Sequence, residues 1–166
     1  MRSFAIFLVA LSLLPLRAAV TWQPYKGGTG LPKTTVFAGA EDGKNKGLRW
    51  FVCRVPYNGV MMVGKAGEKT CNFAVPSESR GRRREEFEIA VESSTGTWGP
   101  AKPGFKGALQ AGPATGKPLI PCRATFTNEG ATIGIHAGVV SGDTCQAEFS
   151  QKIVTSKTYE VYYPGK

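Results

Sequence analysis

Histidine is almost missing from this chain: among 166 residues there is one, His136. A single imidazole cannot furnish the base, nucleophile and metal-ligand sets of most hydrolases. The sequence also has no C-x-x-C pair, no G-x-S-x-G elbow and no Gly-Lys-Ser/Thr phosphate loop. Glu41 with Glu88, and Asp143 with Glu148, could supply carboxylate pairs for glycoside hydrolysis, but nothing in the sequence sets either pair at a defined separation. The chain therefore reads as a non-enzyme with no cofactor and no metal site. There is no N-x-S/T sequon, so N-linked glycosylation is not expected. No window carries a helical hydrophobic period, and 21 glycines and 11 prolines punctuate the chain too often for long helices.

Long apolar runs are confined to the start. Arg2, the apolar run Ala5 to Leu14 and the small residues of LRAAV have the anatomy of a secretory signal peptide, assigned to residues 1–19 with cleavage near Ala18 to Val20. A membrane anchor needs about 18–20 apolar residues, and Pro15 and Arg17 interrupt this run too early. The expected product is secreted and extracellular, with no membrane span. In that compartment its four cysteines should be oxidised. Removing Arg2 and Arg17 lowers the formal net charge of +9 by two. The remaining basic excess favours acidic partners without choosing among them.

What the sequence does have is an internal duplication. Ala38 to Cys71 (AGAEDGKNKGLRWFVCRVPYNGVMMVGKAGEKTC) returns more loosely as Ala111 to Cys145 (AGPATGKPLIPCRATFTNEGATIGIHAGVVSGDTC). Both copies carry Ala-Gly, a later Gly, Cys-Arg, an Asn before a Gly, and a closing Thr-Cys. Thr21-Trp22 and Thr97-Trp98 precede the copies, and FEIAV and YEVYY follow them. The unit is too long for a solenoid step. It divides the chain into repeats over residues 20–92 and 93–166, packed as one unit. Three cysteine pairings are open. Duplication favours one bridge per repeat, Cys53 with Cys71 and Cys122 with Cys145.

Strand signals dominate. Leu48 to Val55 is rich in aromatic and branched residues, and Phe87, Ile89 and Val91 alternate with Glu88 and Ala90, as Tyr159, Val161 and Tyr163 do with Glu160 and Tyr162. The expected fold is all-β, two pseudo-equivalent sets of short antiparallel strands arranged as a sandwich or barrel. Ser93 to Lys106 reads as the connection between halves. Arg54 and Arg123 read as structural groups tied to carbonyls or a carboxylate, and Trp50 as a core aromatic.

The order Trp22, Gly30-Leu31-Pro32, Ala38-Gly39, Asp42-Gly43, Trp50 to Arg54, Asn58-Gly59, Gly64-Lys65 and Cys71 resembles the DM-nine repeat family. Repeat two keeps Trp98, Ala111-Gly112, Gly116, Leu119, Cys122-Arg123, Gly130, Gly134 and Cys145. It carries Thr115 and Ile135 at the positions aligned with Asp42 and Lys65. The family comprises small all-β tandem repeats, some similar to mannose-binding lectins and others forming the lectin part of natterin-like toxins. The resemblance implies a carbohydrate ligand, glycosylated cell surfaces as partners, and Asp42 with Lys65 as the sugar-holding pair. Such a pair suits a vicinal diol, because a carboxylate accepts hydroxyl protons while an ammonium donates to the oxygens. Glu41 can substitute for Asp42. An insertion, Lys44 to Gly47, leaves a second alignment in which Lys46 takes the carboxylate position. A lone shallow sugar site binds weakly, so avidity would call for a homodimer or a multivalent target.

A competing site is the run Arg80 to Arg84, RGRRR, read here as a linker before FEIAV. Arg80, Arg82, Arg83 and Arg84 concentrate charge suited to sulfated or otherwise anionic glycans, or to a protein partner. Arg80-Gly81-Arg82-Arg83 also has the R-x-R-R form cut by secretory processing proteases. Without interleaved aromatics the run does not read as a nucleic-acid module.

Overall fold

In the computed structural model the described residues are 19–42, 46–114 and 117–165. The proposed leader, apart from Ala19, lies outside them, as do Gly43 to Asn45 of the insertion region, Thr115 and Gly116. The fold is all-β. Seven strands form the first sheet: β1 (Val20–Lys26), β2 (Phe37–Ala40), β3 (Arg49–Tyr57), β4 (Val60–Ala66), β5 (Cys71–Val75), β6 (Arg80–Arg84) and β7 (Glu86–Glu92). The chain continues through β8 (Thr97–Pro100), a two-stranded ribbon of β9 (Pro113–Ala114) and β10 (Lys117–Pro118), then β11 (Pro121–Asn128), β12 (Ala131–Ser141), β13 (Thr144–Phe149), β14 (Lys152–Ser156) and β15 (Glu160–Tyr163). No helix among the described residues is long and apolar enough to cross a membrane.

The duplication is literal at the level of topology. The first sheet runs β1-β7-β3-β4-β5-β6, with β2 on β3, and the second runs β8-β15-β11-β12-β13-β14. Ser93 to Lys106, expected as a connection, supplies β8, which takes the edge beside β15 that β1 takes beside β7. RGRRR, expected as a linker, is strand β6. Its backbone can pair with β5 over the full length from Arg80 opposite Val75 to Arg84 opposite Cys71, and arginine stems tolerate a half-exposed edge.

Local chemistry sets the hairpins. Asn58-Gly59 joins β3 to β4 with φ of 49° and 77°, and Glu129-Gly130 joins β11 to β12 with 52° and 80°. Two positive φ values in a two-residue loop are the turn that matches strand twist, and glycine takes the second without strain. Beyond each turn, Cys53 bridges to Cys71 and Cys122 to Cys145, with sequence separations of 18 and 23.

Each sheet curls around a core of its own. In the first repeat Cys53, Val55, Phe73, Phe87 and Ile89 pack together, and in the second Cys122, Ala124, Phe126, Ala147 and Val161 do so. A third set spans both: Val36, Ala38, Val52 and Ala90 meet Leu109, Ala137 and Tyr162. Burying each larger aliphatic chain here contributes about 1.5–3 kcal/mol, so the seam between repeats is a core rather than a contact between finished domains.

The repeated arginines hold the same place twice. Arg54 Nε donates to Glu88 Oε2 at 2.7 Å while its guanidinium lies 4.6 Å from the Trp22 ring centre. Arg123 Nε donates to Glu160 Oε2 at 2.7 Å and lies 4.9 Å from Trp98. Arg54 also donates to the Ala111 carbonyl at 2.8 Å, across the seam.

Because each bridge closes a loop of similar length, removing either pair should destabilise the chain by about 3 kcal/mol. Urea unfolding of the Cys53→Ala/Cys71→Ala and Cys122→Ala/Cys145→Ala variants reads this directly. An unchanged midpoint in either would mean that its bridge restrains nothing the strands do not already hold.

Candidate functional site

The site begins with a difference in strand length. β12 has eleven residues where its counterpart β4 has seven. The extra length carries the tip of the second repeat's hairpin over the first repeat. There Gly134 bridges to Glu41, and the Asp42 amide donates to the Ile133 carbonyl at 3.3 Å. The approach is backbone against backbone. A Cβ at Gly39 would strike the Ile135 carbonyl, and one at Gly134 the Ala40 carbonyl. The glycine of Ala38-Gly39 thus leaves room for a strand from the other repeat.

Beneath this crossing lies Lys65 on β4, 2% exposed. Its Nζ is 2.5 Å from Nδ1 of His136, 3.8 Å from Oε2 of Glu148 and 4.5 Å from the centre of the Trp50 ring. Glu41, itself buried, acts on the same ammonium. His136 is fully buried among Trp50, Phe126 and Phe149. Its Nε2 faces the Ile133 carbonyl at 3.1 Å. A carbonyl can only accept, so Nε2 carries the proton and Nδ1 accepts from the ammonium. Burial lowers the Lys65 pKa to about 8, against the opposing pull of Glu148 and Glu41. Burial and the neighbouring Lys65 charge lower that of His136 to about 4, although its bond to Ile133 opposes this. At neutral pH the cluster is an ammonium beside a neutral imidazole.

Of the sequence candidates, the fold gathers Glu41 and Lys65 and leaves Asp42 exposed at the end of the crossing. Lys46, the residue of the alternative alignment, is also exposed. Side-chain alternation after Gly39 turns one of two adjacent carboxylates inward, and it is Glu41. Trp50 is buried, and among the described residues its indole N–H has no hydrogen-bond partner.

These features can be set beside known proteins. The family model described as DM9 repeat matches residues 44–138. The chain belongs to the DM9 repeat family. Among solved structures it is similar to the crystal structure of the nematode sperm cell motility protein MFP2B, with a TM-score of 0.58 and 12% identity. The match covers 86% of this chain and 43% of that one, so the chain spans less than half the nematode protein's length. At that identity the likeness is one of fold. No curated protein matches the chain.

Within this DM9 pair the two repeats differ at the site. The expected alignment put Ile135 opposite Lys65. The strand register corrects it: Gly64 pairs with Cys53, and Gly138 pairs with Cys122. The residue in the Lys65 position is therefore Val139, which packs against Val63, Ala111 and Leu119. The extra residues of the β11–β12 hairpin shift the motif in sequence but not in space. They also free His136 to become part of the other repeat's site. Sequence reasoning missed this contribution. The available signal was a lone histidine inside the apolar run IGIHAGVV, where an unpaired imidazole is costly.

A groove of about 450 Å³ opens beside the cluster between β6 and the turn after β13, lined by Asn72, Gly81, Arg82, Arg83, Arg84 and Glu148 among others. Glu148 links the two, since it lines the groove and lies 3.8 Å from Lys65. Leu48, Trp50, Phe51 and Lys69 border a second cleft of about 630 Å³.

The charge pattern has a signature in pH. Lys65 and His136 both hold fewer protons folded than unfolded, Lys65 between pH 8 and 10.5 and His136 between pH 4 and 6.5. Stability should therefore rise with pH through each window. The Lys65→Met variant should lose the alkaline rise, of the order of 3 kcal/mol in the wild type, and His136→Gln the acidic one. Urea midpoints measured from pH 4 to 10.5 test this, and a wild-type curve flat from pH 8 upward would refute the lowered Lys65 pKa.

Proposed function

We propose that this DM9 repeat protein is a secreted, non-catalytic carbohydrate-binding protein whose ligands are mannose-type glycans on cell surfaces. The observation that carries the reading is the meeting of Glu41, just past β2, with Lys65 of β4 in one cluster with Trp50 beside them. Lys65 has three N–H donors. One is taken by His136, and the Glu148 oxygen at 3.8 Å is beyond hydrogen-bond length. Trp50, whose ring centre lies 4.5 Å from the Lys65 ammonium, carries a further indole N–H without a partner among the described residues. Sugar hydroxyls supply the acceptors these donors need, and a carboxylate such as Glu41 takes the hydroxyl protons. In this reading the ligand enters from the groove and reaches Lys65 as Glu148 swings aside. Secretion draws on the leader-like first residues and on two disulfides, which persist in oxidising compartments.

The second repeat, with Val139 in the lysine position, serves as scaffold. One such site binds in roughly the millimolar to high micromolar range, and a multivalent surface would raise this by avidity.

Isothermal titration with mannotetraose tests the reading. The wild type should bind with little dependence on salt. Glu41→Gln and Lys65→Met should each weaken binding about 10- to 100-fold, as expected for lost hydrogen bonds to charged groups, while Asp42→Asn should not. Full binding by the Lys65→Met variant would sink the site. Binding confined to polyanions and lost in salt would instead favour a polyanion-binding factor without a neutral-sugar site.

A further inference from the structure

RGRRR carries four arginines, and the fold gives them different work. Alternation along β6 places Arg80, Arg82 and Arg84 on one face and Gly81 with Arg83 on the other. On the first face Glu78 receives both Arg80 and Arg82, and the Tyr57 hydroxyl donates to the same carboxylate at 2.7 Å. Tyr57 and Arg82 hold the Glu78 carboxyl below its usual pKa. Arg84 lies 5.2 Å from the centre of the Tyr57 ring. Three of the four guanidiniums are thus engaged. Arg83 is exposed, and among the described residues its guanidinium meets no carboxylate and no aromatic ring.

The second face looks toward the second repeat. A Cβ at Gly81 would collide with the Glu148 side chain, so that carboxylate lies directly over β6. Register then connects Arg83 to the buried cluster. Arg83 is opposite Asn72, and Asn72 is opposite Lys65. Residues directly opposite in neighbouring strands share a face, and two strand spacings separate Arg83 from Lys65 by about 10 Å. Asn72, between them, lines the groove with Arg83 and Glu148. The opposing charge is already engaged, since Glu148 accepts from the Gln151 amide at 2.7 Å and lies beside Lys65. Glu85 and Glu86 border Arg83 on the outer side, and Glu86 pairs with Lys26.

From this row we infer that the groove takes an acidic oligosaccharide, with an oxyanion substituent (a sulfate ester or a carboxylate) seated on Arg83 while neighbouring hydroxyls approach Asn72 and the Lys65 cluster. The inference rests on the carbohydrate reading for the inner part of the ligand and adds the class of its outer part. The planar guanidinium matches a sulfate or carboxylate through two parallel hydrogen bonds. The span from Lys65 to Arg83 suits a short oligosaccharide rather than one sugar unit. Gly81 is part of the device, because a side chain there would collide with Glu148.

The test compares a heparin-derived tetrasaccharide, a hyaluronan tetrasaccharide and mannotetraose on the wild type, Arg83→Gln, Lys65→Met and Arg80→Gln, the last on the same strand but outside the groove lining. Both arginines lie exposed on an edge strand, and near-ultraviolet circular dichroism verifies that each variant keeps its fold. The heparin fragment should bind at least about tenfold more tightly than mannotetraose, the gain expected from one charge-assisted pair. That preference should vanish in Arg83→Gln and persist in Arg80→Gln. Preference for hyaluronan as well as heparin would assign the substituent as a carboxylate or sulfate alike, and preference for heparin alone as a sulfate. Equal binding of acidic and neutral sugars overturns the inference, as does equal loss in the two arginine variants, which would mark a diffuse field. Arg83-dependent heparin binding with no mannotetraose binding would remove the neutral-sugar site and leave the anion seat standing. No binding of any of the three overturns both.

Discussion

The seam between the repeats depends on the crossing of β12 over the exit of β2, where two main chains approach closely enough that Gly39 and Gly134 have no room for a Cβ. From that contact the rest follows. The extended hairpin crosses Ala40 and Glu41, turns Glu41 inward, and carries His136 onto Lys65. A lysine on a central strand would otherwise face an apolar neighbour and be expelled or neutralised by the desolvation cost. Here an imidazole nitrogen, an indole face and two carboxylates replace part of its water. The site is therefore a property of the pair of repeats. The first supplies Glu41, Trp50 and Lys65, and the second supplies His136, Glu148 and Phe149.

Duplication gave both halves the same frame and let their chemistry diverge. The disulfide between the hairpin and the following strand, the two-residue turn with positive φ, and the arginine clamped between a glutamate and a tryptophan occur in each. These features fix strand register without reaching the seam's polar centre. Where they end, the copies differ: Lys65 against Val139, the exposed RGRRR edge of β6 against the KIVTS of β14. One repeat bears polar groups whose neutralisation requires the other, and the other contributes apolar bulk plus two polar side chains. Such asymmetry is what a single composite site between two similar halves requires.

The likeness to the nematode MFP2B fold is one of architecture at 12% identity. It concerns the fold alone, and a shared fold leaves the chemistry to the side chains. In this chain the relevant side chains are gathered along a cross-strand row from the buried Lys65 through Asn72 to the exposed Arg83. The row runs from a buried cluster to open solvent within three strands. Electrostatic interactions are correspondingly strong at one end and screened at the other.

Much was legible in the sequence because it is local. Alternation of Phe87, Ile89 and Val91 announces a strand, Asn58-Gly59 a tight turn, and the doubled Cys-Arg and Thr-Cys the two repeats and the bridge within each. Those signals depend on neighbours a few residues apart, or on one motif occurring twice. The choice between Glu41 and Asp42 was not local. It follows from which of two adjacent carboxylates lies under a strand from the other repeat. The engagement of Arg80 and Arg82 by Glu78, but not of Arg83 by any carboxylate among the described residues, required β6 to be a strand with two faces. The equivalence of Lys65 with Val139 rather than Ile135 required the register of the longer hairpin. The sequence by itself determined the elements, the duplication and the residue types available for chemistry. The tertiary structure decided which of them meet, because contacts across the seam join residues far apart in the chain, and burial there determines their protonation and their partners.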